Sequence, residues 1–392
     1  MFSLNRFLDV KKEDQSLLYF TYYAFLCSGM MTTVLGAILP SLSEEYGLSY
    51  TLQGSLLSFH QIGNLAAVYI AGFLPYAIGR KMSTLLGASG IILGLVFMTL
   101  YGNPFFLIFS FLLTGIGRGT MSNMTNVVVG QSAGNKAGGL NLLHACFAVG
   151  AFVSPLIAIA AGDDMWRVPG WIISVLMLIA LILLGTSKLS SERSRKEKGG
   201  ETRFLKSIGF WLNTMIMFFY LCAEASLTGW LVTYFIDSGI FPQSIATSMQ
   251  SILWVMILFG RLICASISNR MNKASLILVL GIIMTAFFTV MVNASGPVAA
   301  VIGVFGVGVS MSGIYPTTLS TMPADYNSST VATGTCIAVA TVGAILMPLV
   351  IGTVAESAGI ASGITLIALA LICMLALMTI KLVLTLKGRD LS

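Results

Sequence analysis

The stretch that decides the fold reads VGAFVSPL and occupies residues 149–156. It returns as VGAILMPL at residues 342–349, at an offset of 193 residues. A Gly-x-Gly pair that begins at Gly115 has a counterpart that begins at Gly306, at an offset of 191 residues. Repeated apolar sequence with glycine and proline at fixed places predicts two structurally similar halves.

The composition around this repeat is that of a membrane protein. Hydrophobic residues make up 56% of the 392 positions and charged residues only 9%, whereas roughly a quarter of the residues of a soluble domain are charged. The apolar runs have the ~20-residue length that crosses a hydrocarbon layer about 30 Å thick. They predict an all-α membrane protein with twelve transmembrane spans, at residues 17–40, 50–78, 83–101, 104–129, 138–161, 168–187, 207–235, 243–267, 274–293, 297–320, 329–352 and 360–384.

Basic residues sort to one side of these spans. Both termini and alternate connections carry most of the lysines and arginines, and the opposite connections carry only Arg167 together with several acids. Because cytoplasmic loops are enriched in Lys and Arg, this pattern predicts that both termini are cytoplasmic. No targeting segment is apparent, so we expect a multi-pass protein of a bacterial inner membrane.

A polar, Ser-, Gly- and charge-rich stretch divides the chain at residues 188–206. Such a composition is typical of a linker between domains. We therefore expect an N-terminal six-helix bundle at 1–187, a cytoplasmic linker at 188–206 and a C-terminal six-helix bundle at 207–392. The net charge of +6 is explained by its location at the membrane surface and indicates no nucleic-acid partner.

Motifs of enzymes and metal sites are missing from the sequence. The six cysteines lie singly in apolar runs, and we find no HExxH, GxSxG, P-loop or paired acids. We therefore expect a protein that is not an enzyme, needs no metal or cofactor, and works as a monomer in the lipid bilayer.

Four tracts carry a resemblance to a known family. The run GFLPYAIGRK (72–81) resembles the loop motif GxLaDrxGrk of the major facilitator superfamily, with Tyr76 at its acidic place. The runs LNLLHACFAVG (140–150), YLCAEASLTGWLVTY (220–234) and GVSMSGIYP (308–316) are similar to the fucose-permease-like sugar:proton symporters. The resemblance implies two pseudo-symmetric six-helix bundles, alternating access, a small-molecule substrate and a coupling proton or other ion.

This chain departs from that subgroup where protons are usually coupled. The resemblance implies an acid in span 1 and another in span 4, but span 1 has none and Ser122 stands at the span 4 place, four residues before Asn126. The resemblance also places His144 where a glutamine of fucose permease faces the sugar. It therefore supports sugar-like transport more strongly than the usual coupling device.

Polar residues inside the spans mark the candidate site, because each costs a few kcal/mol in lipid unless it has a partner or a function. Four-residue spacing places Arg118, Ser122 and Asn126 on one face of span 4. The candidate substrate-binding residues are Arg118, Ser122, Asn126, Gln61, Asn64, Asn141, His144, Trp230, Gln250, Trp254 and Tyr315. The candidates for coupling or gating are Glu224, Arg118, His144, His60, Arg80, Arg261 and Arg270.

Glu224 is the one acid deep in a span, and three roles remain open for it. A carboxylate in low dielectric can exchange a proton, can pair statically with Arg118, or can contact the substrate.

The function is likewise left with alternatives. The chain is expected to carry a monosaccharide or polyol, driven by an ion gradient or by the gradient of the solute itself. A drug, amphiphile or organic anion on the same fold is the first alternative, with Arg118 as its counter-charge. A membrane sensor that transports nothing is the second.

Overall fold

The computed structural model describes Leu8 and residues 10–11, 14–189, 203–267, 270–323 and 330–387. Twelve long helices fill these ranges, and eleven of them meet the length and hydropathy expected of a membrane span. They are α1 (Gln15–Tyr46), α2 (Tyr50–Ile78), α3 (Arg80–Leu100), α4 (Pro104–Ser132), α5 (Lys136–Ala161), α6 (Arg167–Thr186), α7 (Ile208–Asp237), α8 (Gln243–Ile267), α9 (Lys273–Val292), α10 (Pro297–Ser320), α11 (Thr330–Ala358) and α12 (Ile360–Leu386). The predicted all-α, twelve-helix fold is confirmed.

Two helices end six residues beyond the predicted spans, α1 at Tyr46 instead of residue 40 and α11 at Ala358 instead of residue 352. The predicted span 1 closes at Pro40, and proline removes a backbone donor and clashes with the preceding turn of a helix. Helix α1 instead continues through Pro40 to Tyr46 and ends at Gly47, whose φ is 60° and whose N–H bonds to the carbonyl of Ser43. The left-handed glycine supplies the stop signal, and Pro40 lies inside the helix without ending it.

The chain divides into two compact units. The first contains residues 1–48 and 59–196, and the second contains residues 49–58 and 197–392. Within the first unit α1 packs on α5 and α3 packs on α4, and within the second α7 packs on α11 and α9 on α10. The linker predicted at 188–206 falls largely on residues 190–202, which lie outside the described residues, so its boundaries stay a prediction.

In each unit a glycine allows two helices to approach closely, α5 and α1 in the first and α11 and α7 in the second. A Cβ on Gly150 of α5 would strike the carbonyl of Leu26 on α1, and a Cβ on Gly343 of α11 would meet the carbonyl of Phe218 on α7. These glycines occupy the same place in the VGA repeat. The repeat is therefore conserved in packing as well as in sequence.

The second repeat needs a correction. Gly115 of α4 packs on His60 of α2, whereas Gly306 of α10 packs on Phe287 of α9. The residue of α10 that contacts α8, as Gly115 contacts α2, is Gly308, which meets the carbonyl of Leu253. The structural correspondence therefore joins Gly115 to Gly308, at the same 193-residue offset as the VGA tracts, and the 191-residue pairing was wrong by two positions.

Candidate functional site

The polar stripe of α4 lies beside α1. The Nε atom of Arg118 donates to Thr32 Oγ1 at 3.1 Å, and Asn126 Nδ2 donates to the carbonyl of Ser122 at 2.7 Å. Arg118, Ser122 and Asn126 are all half-buried. Four-residue spacing thus produces the common face that the sequence predicts, although the use of this face for substrate stays a prediction.

The glycines of α4 occupy a different face, against α2. Gly115 packs on the backbone of His60, and a Cβ on Gly119 would lie 2.6 Å from the carbonyl of Asn64. This close crossing fixes the height of His60, Gln61 and Asn64 relative to α4. Gln61 and Asn64 are half-buried, and their substrate-binding role stays a prediction.

His60 is hydrogen-bonded to α4. Its Nδ1 atom lies 2.9 Å from Thr114 Oγ1, and the hydroxyl of Thr114 already donates to the carbonyl of Phe111 at 2.7 Å. Thr114 thus links His60 of α2 to the backbone of α4. His60 is only 5% exposed, so its hydrogen bond serves the packing of α2 on α4.

Asn141 and His144 are both exposed and lie three residues apart on α5. The ring of His144 meets Phe25 of α1 edge-on, with centroids 5.7 Å apart. Both side chains can be reached from outside the first unit, as a substrate contact requires.

In the second unit, polar groups gather around Glu224. The hydroxyl of Tyr220 donates to the carbonyl of Met311 on α10 at 3.1 Å. The side chain of Glu224 is a second hydrogen-bond partner of that hydroxyl, and the positive charge of Arg261 lies near enough to act on it. The rings of Tyr220 and Tyr315 are 6.3 Å apart. The structure thus brings together Glu224, Arg261 and Tyr315, which the sequence singled out separately.

Gln250 continues this cluster toward α8. Its Nε2 atom donates to the carbonyl of Thr228 at 2.8 Å, and the hydroxyl of Thr228 donates to the carbonyl of Glu224 at 2.8 Å. The Oε1 atom of Gln250 is buried and accepts no hydrogen bond from any described residue. Gln250 is fully buried, and its predicted contact with substrate stays a prediction.

The two candidate tryptophans are packed inside the second unit. Trp254 is 5% exposed, and Trp230 is fully buried with its Nε1 donating to the carbonyl of Pro348 at 3.2 Å. This burial gives Trp230 a role in joining α7 to α11. Its predicted contact with substrate, like that of Trp254, stays a prediction.

The main polar cluster that sequence reasoning missed is centred on a buried lysine. Lys381 of α12 was counted among the basic residues at the membrane surface, but it is only 2% exposed. Its ammonium donates to Asn213 Oδ1 of α7 and to Thr321 Oγ1 beside α10. Asn213 lies 168 residues away in the chain, so no local signal could reveal the pair.

Arg167 also has a partner that spacing could not show. It is close in sequence to Asp163 and Asp164, yet its guanidinium forms a bidentate ion pair with Glu45, at the end of α1. Its Nε atom donates to the carbonyl of Thr99 at the end of α3, at 3.1 Å. Arg167 therefore joins the ends of α1, α3 and α6 on one side of the first unit.

Of the predicted gating arginines, Arg80 begins α3 directly after Gly79, whose φ of 81° makes the one-residue turn from α2. Arg270 is exposed between α8 and α9. Their gating roles stay predictions.

Comparison with known proteins adds three findings. A profile of the Major Facilitator Superfamily matches residues 21–337. The glucose/mannose transporter GlcP of Bacillus subtilis is 23% identical over 323 residues, which cover 77% of this chain and 78% of that protein. The 3-(3-hydroxy-phenyl)propionate transporter of Escherichia coli is 22% identical over 339 residues, 83% of each chain.

A solved structure agrees in fold over almost the whole chain. The crystal structure of a D-xylose-proton symporter superimposes with a TM-score of 0.76 and 13% sequence identity, and covers 95% of this chain and 97% of that one. At this identity the likeness shows the arrangement of helices and nothing about the cargo.

Proposed function

The chain belongs to the Major Facilitator Superfamily, and we propose that it carries a monosaccharide or related polyol across the membrane by alternating access. The observation that carries the proposal is the set of accessible polar side chains on two helices, which offer hydrogen bonds to hydroxyls: Arg118, Ser122 and Asn126 on α4, and Asn141 and His144 on α5. Sugars present hydroxyl donors, and a similar chain is a glucose/mannose transporter. The small-molecule substrate and the monomeric state are parts of this proposal.

The orientation follows from charge. We propose a bacterial inner membrane with both termini in the cytoplasm, because the basic residues outside the spans lie on the side of the termini.

Glu224 and Tyr220 supply a route for coupling to protons. The phenol of Tyr220 has one proton and two acceptors, the carbonyl of Met311 and the side chain of Glu224. A protonated Glu224 can donate to Tyr220, which then donates to Met311. An ionised Glu224 competes for the phenol proton and weakens the bond to Met311. Proton occupancy of Glu224 therefore alters a link between α7 and α10.

Substitution separates coupling from transport. We expect Glu224→Gln to abolish accumulation driven by a pH gradient while exchange of labelled for unlabelled solute continues, since the amide cannot lose a proton. Tyr220→Phe should weaken coupling but leave exchange. Equal loss of exchange and accumulation in Glu224→Gln would instead assign Glu224 to substrate binding.

An organic anion is the second candidate cargo. Arg118 is a half-buried cation inside α4, and a similar chain transports 3-(3-hydroxy-phenyl)propionate. A thermal-shift screen of sugars, polyols and aromatic acids distinguishes the two. A ligand at 100 times its Kd stabilises the folded state by about 2.7 kcal/mol, so the true substrate class should raise Tm by several degrees. Stabilisation by acids alone would replace the sugar proposal with this candidate.

A further inference from the structure

A cavity of about 340 Å³ lies wholly within the first unit, away from the polar stripe of α4. Its walls come from α2, α3 and α4, and include Ile70, Leu74, Met124 and Val127. Its volume is at the lower end of small-molecule sites. Val127 is 47% exposed, so the apolar wall continues onto the outer surface of the bundle.

Two cations line the cavity. Arg80 at the start of α3 and Lys188 just beyond α6 both contribute to its lining, and no acidic residue does so among the residues that the structure describes. The Nζ atom of Lys81 donates to the carbonyl of Ser187 at 3.1 Å, which ties the start of α3 to the end of α6. This bond keeps Arg80 and Lys188 on neighbouring elements. Both side chains are exposed, so an anion can approach them.

The remaining polar lining consists of neutral donors. The side chains of Asn123 and Gln131 on α4 contribute amides, and Thr84 of α3 contributes a hydroxyl. These groups can donate to phosphate or glycerol oxygens, which accept hydrogen bonds. The lining therefore combines two cations, neutral hydrogen-bond donors and an apolar wall.

We propose that this cavity is a binding site for an anionic phospholipid, with the phosphate at Arg80 and Lys188 and the glycerol and first acyl carbons along Met124 and Val127. A free inorganic anion would be attracted to the cations but leave the apolar wall in contact with water. A neutral lipid would cover the wall but gain no attraction from the two charges. The site does not depend on which solute the protein carries.

Lipid titration by native mass spectrometry tests the site. Purified protein is titrated with phosphatidylglycerol and with phosphatidylcholine of the same chains, and the Kd of the first bound lipid is compared. Each basic residue near a membrane surface contributes about 1 kcal/mol to the binding of anionic lipid, so Arg80→Gln/Lys188→Gln should weaken phosphatidylglycerol about 30-fold. Each single variant should weaken it about 5-fold.

Matched controls separate this cavity from general surface charge. Lys206→Gln/Lys273→Gln removes two exposed charges that do not line the cavity, and it should leave the Kd unchanged. Val127→Trp keeps both charges but fills part of the cavity with a larger side chain, and it should weaken the binding of phosphatidylglycerol. The single variants carry the test if the double variant does not fold.

Three results would overturn the proposal. The first is a wild-type Kd in both single variants, and the second is an equal loss in the Lys206/Lys273 control. The third is displacement of phosphatidylglycerol by inorganic phosphate at equal concentration, which would indicate a soluble anion instead of a lipid.

Discussion

Replacement of Asn213 by leucine should destabilise the second unit through Lys381. Lys381 is 2% exposed, and its ammonium donates to Asn213 Oδ1 and Thr321 Oγ1. Asn213→Leu removes one of these acceptors and leaves the charge buried. Loss of one partner of a buried charge costs about 3–5 kcal/mol. Because Thr321 remains, we expect the lower end, about 3 kcal/mol.

The expected loss of unfolding free energy can be converted to a decrease in melting temperature. A region of 150–250 residues shifts by roughly 2–4 °C per kcal/mol, so Asn213→Leu should lower Tm by about 6–12 °C. Lys381→Met removes the charge and keeps the volume, and such replacements of buried charges are often neutral or stabilising. It should therefore melt within about 3 °C of the wild type or above it.

The double variant supplies the decisive comparison. Asn213→Leu/Lys381→Met has neither the charge nor its lost acceptor, so it should recover most of the Tm lost by Asn213→Leu alone. The assay is thermal unfolding of the purified protein in one detergent at one scan rate. If Lys381→Met melts as low as Asn213→Leu and the double variant melts lower still, the buried charge is not the source of the effect and the reasoning fails.

Substitutions at three further positions test the packing of the first unit and of its repeat in the second. Gly150→Val and Gly343→Val should each prevent folded protein from accumulating, because a side chain would strike the backbone of the neighbouring helix. Size-exclusion profiles should show the same loss for both variants. A well-folded variant of either would contradict the shared packing. Arg167→Lys keeps the charge but loses the two-pronged contact with Glu45, so it should lower Tm nearly as much as Arg167→Gln, by a few degrees. If Arg167→Lys melts at the wild-type Tm, charge attraction alone accounts for the stabilising effect of the contact with Glu45.

The fold could be predicted from the sequence because its signals are local or periodic. Apolar runs of the length of a bilayer gave twelve helices, and the VGA tracts identified glycines that lie at equivalent helix crossings. The errors came from signals that act alone. Pro40 did not end α1, and a Gly-x-Gly match two residues out of register concealed the pairing of Gly115 with Gly308.

The candidate site was only partly accessible to such reasoning. Spacing of four residues correctly placed Arg118, Ser122 and Asn126 along one face of α4. Contacts between residues far apart in the chain carry no sequence signal of this kind. Arg167 meets Glu45 at a separation of 122 residues, and Lys381 meets Asn213 at 168. Composition alone assigned both cations to the membrane surface, although tertiary contacts hold one of them in the interior.

Transport of sugar by the reconstituted protein is the most direct test of the central claim. The measurement is uptake of labelled glucose, mannose and a panel of other monosaccharides into proteoliposomes, with and without an inward proton gradient. We expect saturable uptake of at least one of these sugars, and accumulation above equilibrium only when the gradient is present. The absence of flux for every monosaccharide in protein that is shown to be folded, together with uptake of an aromatic acid, would contradict the account.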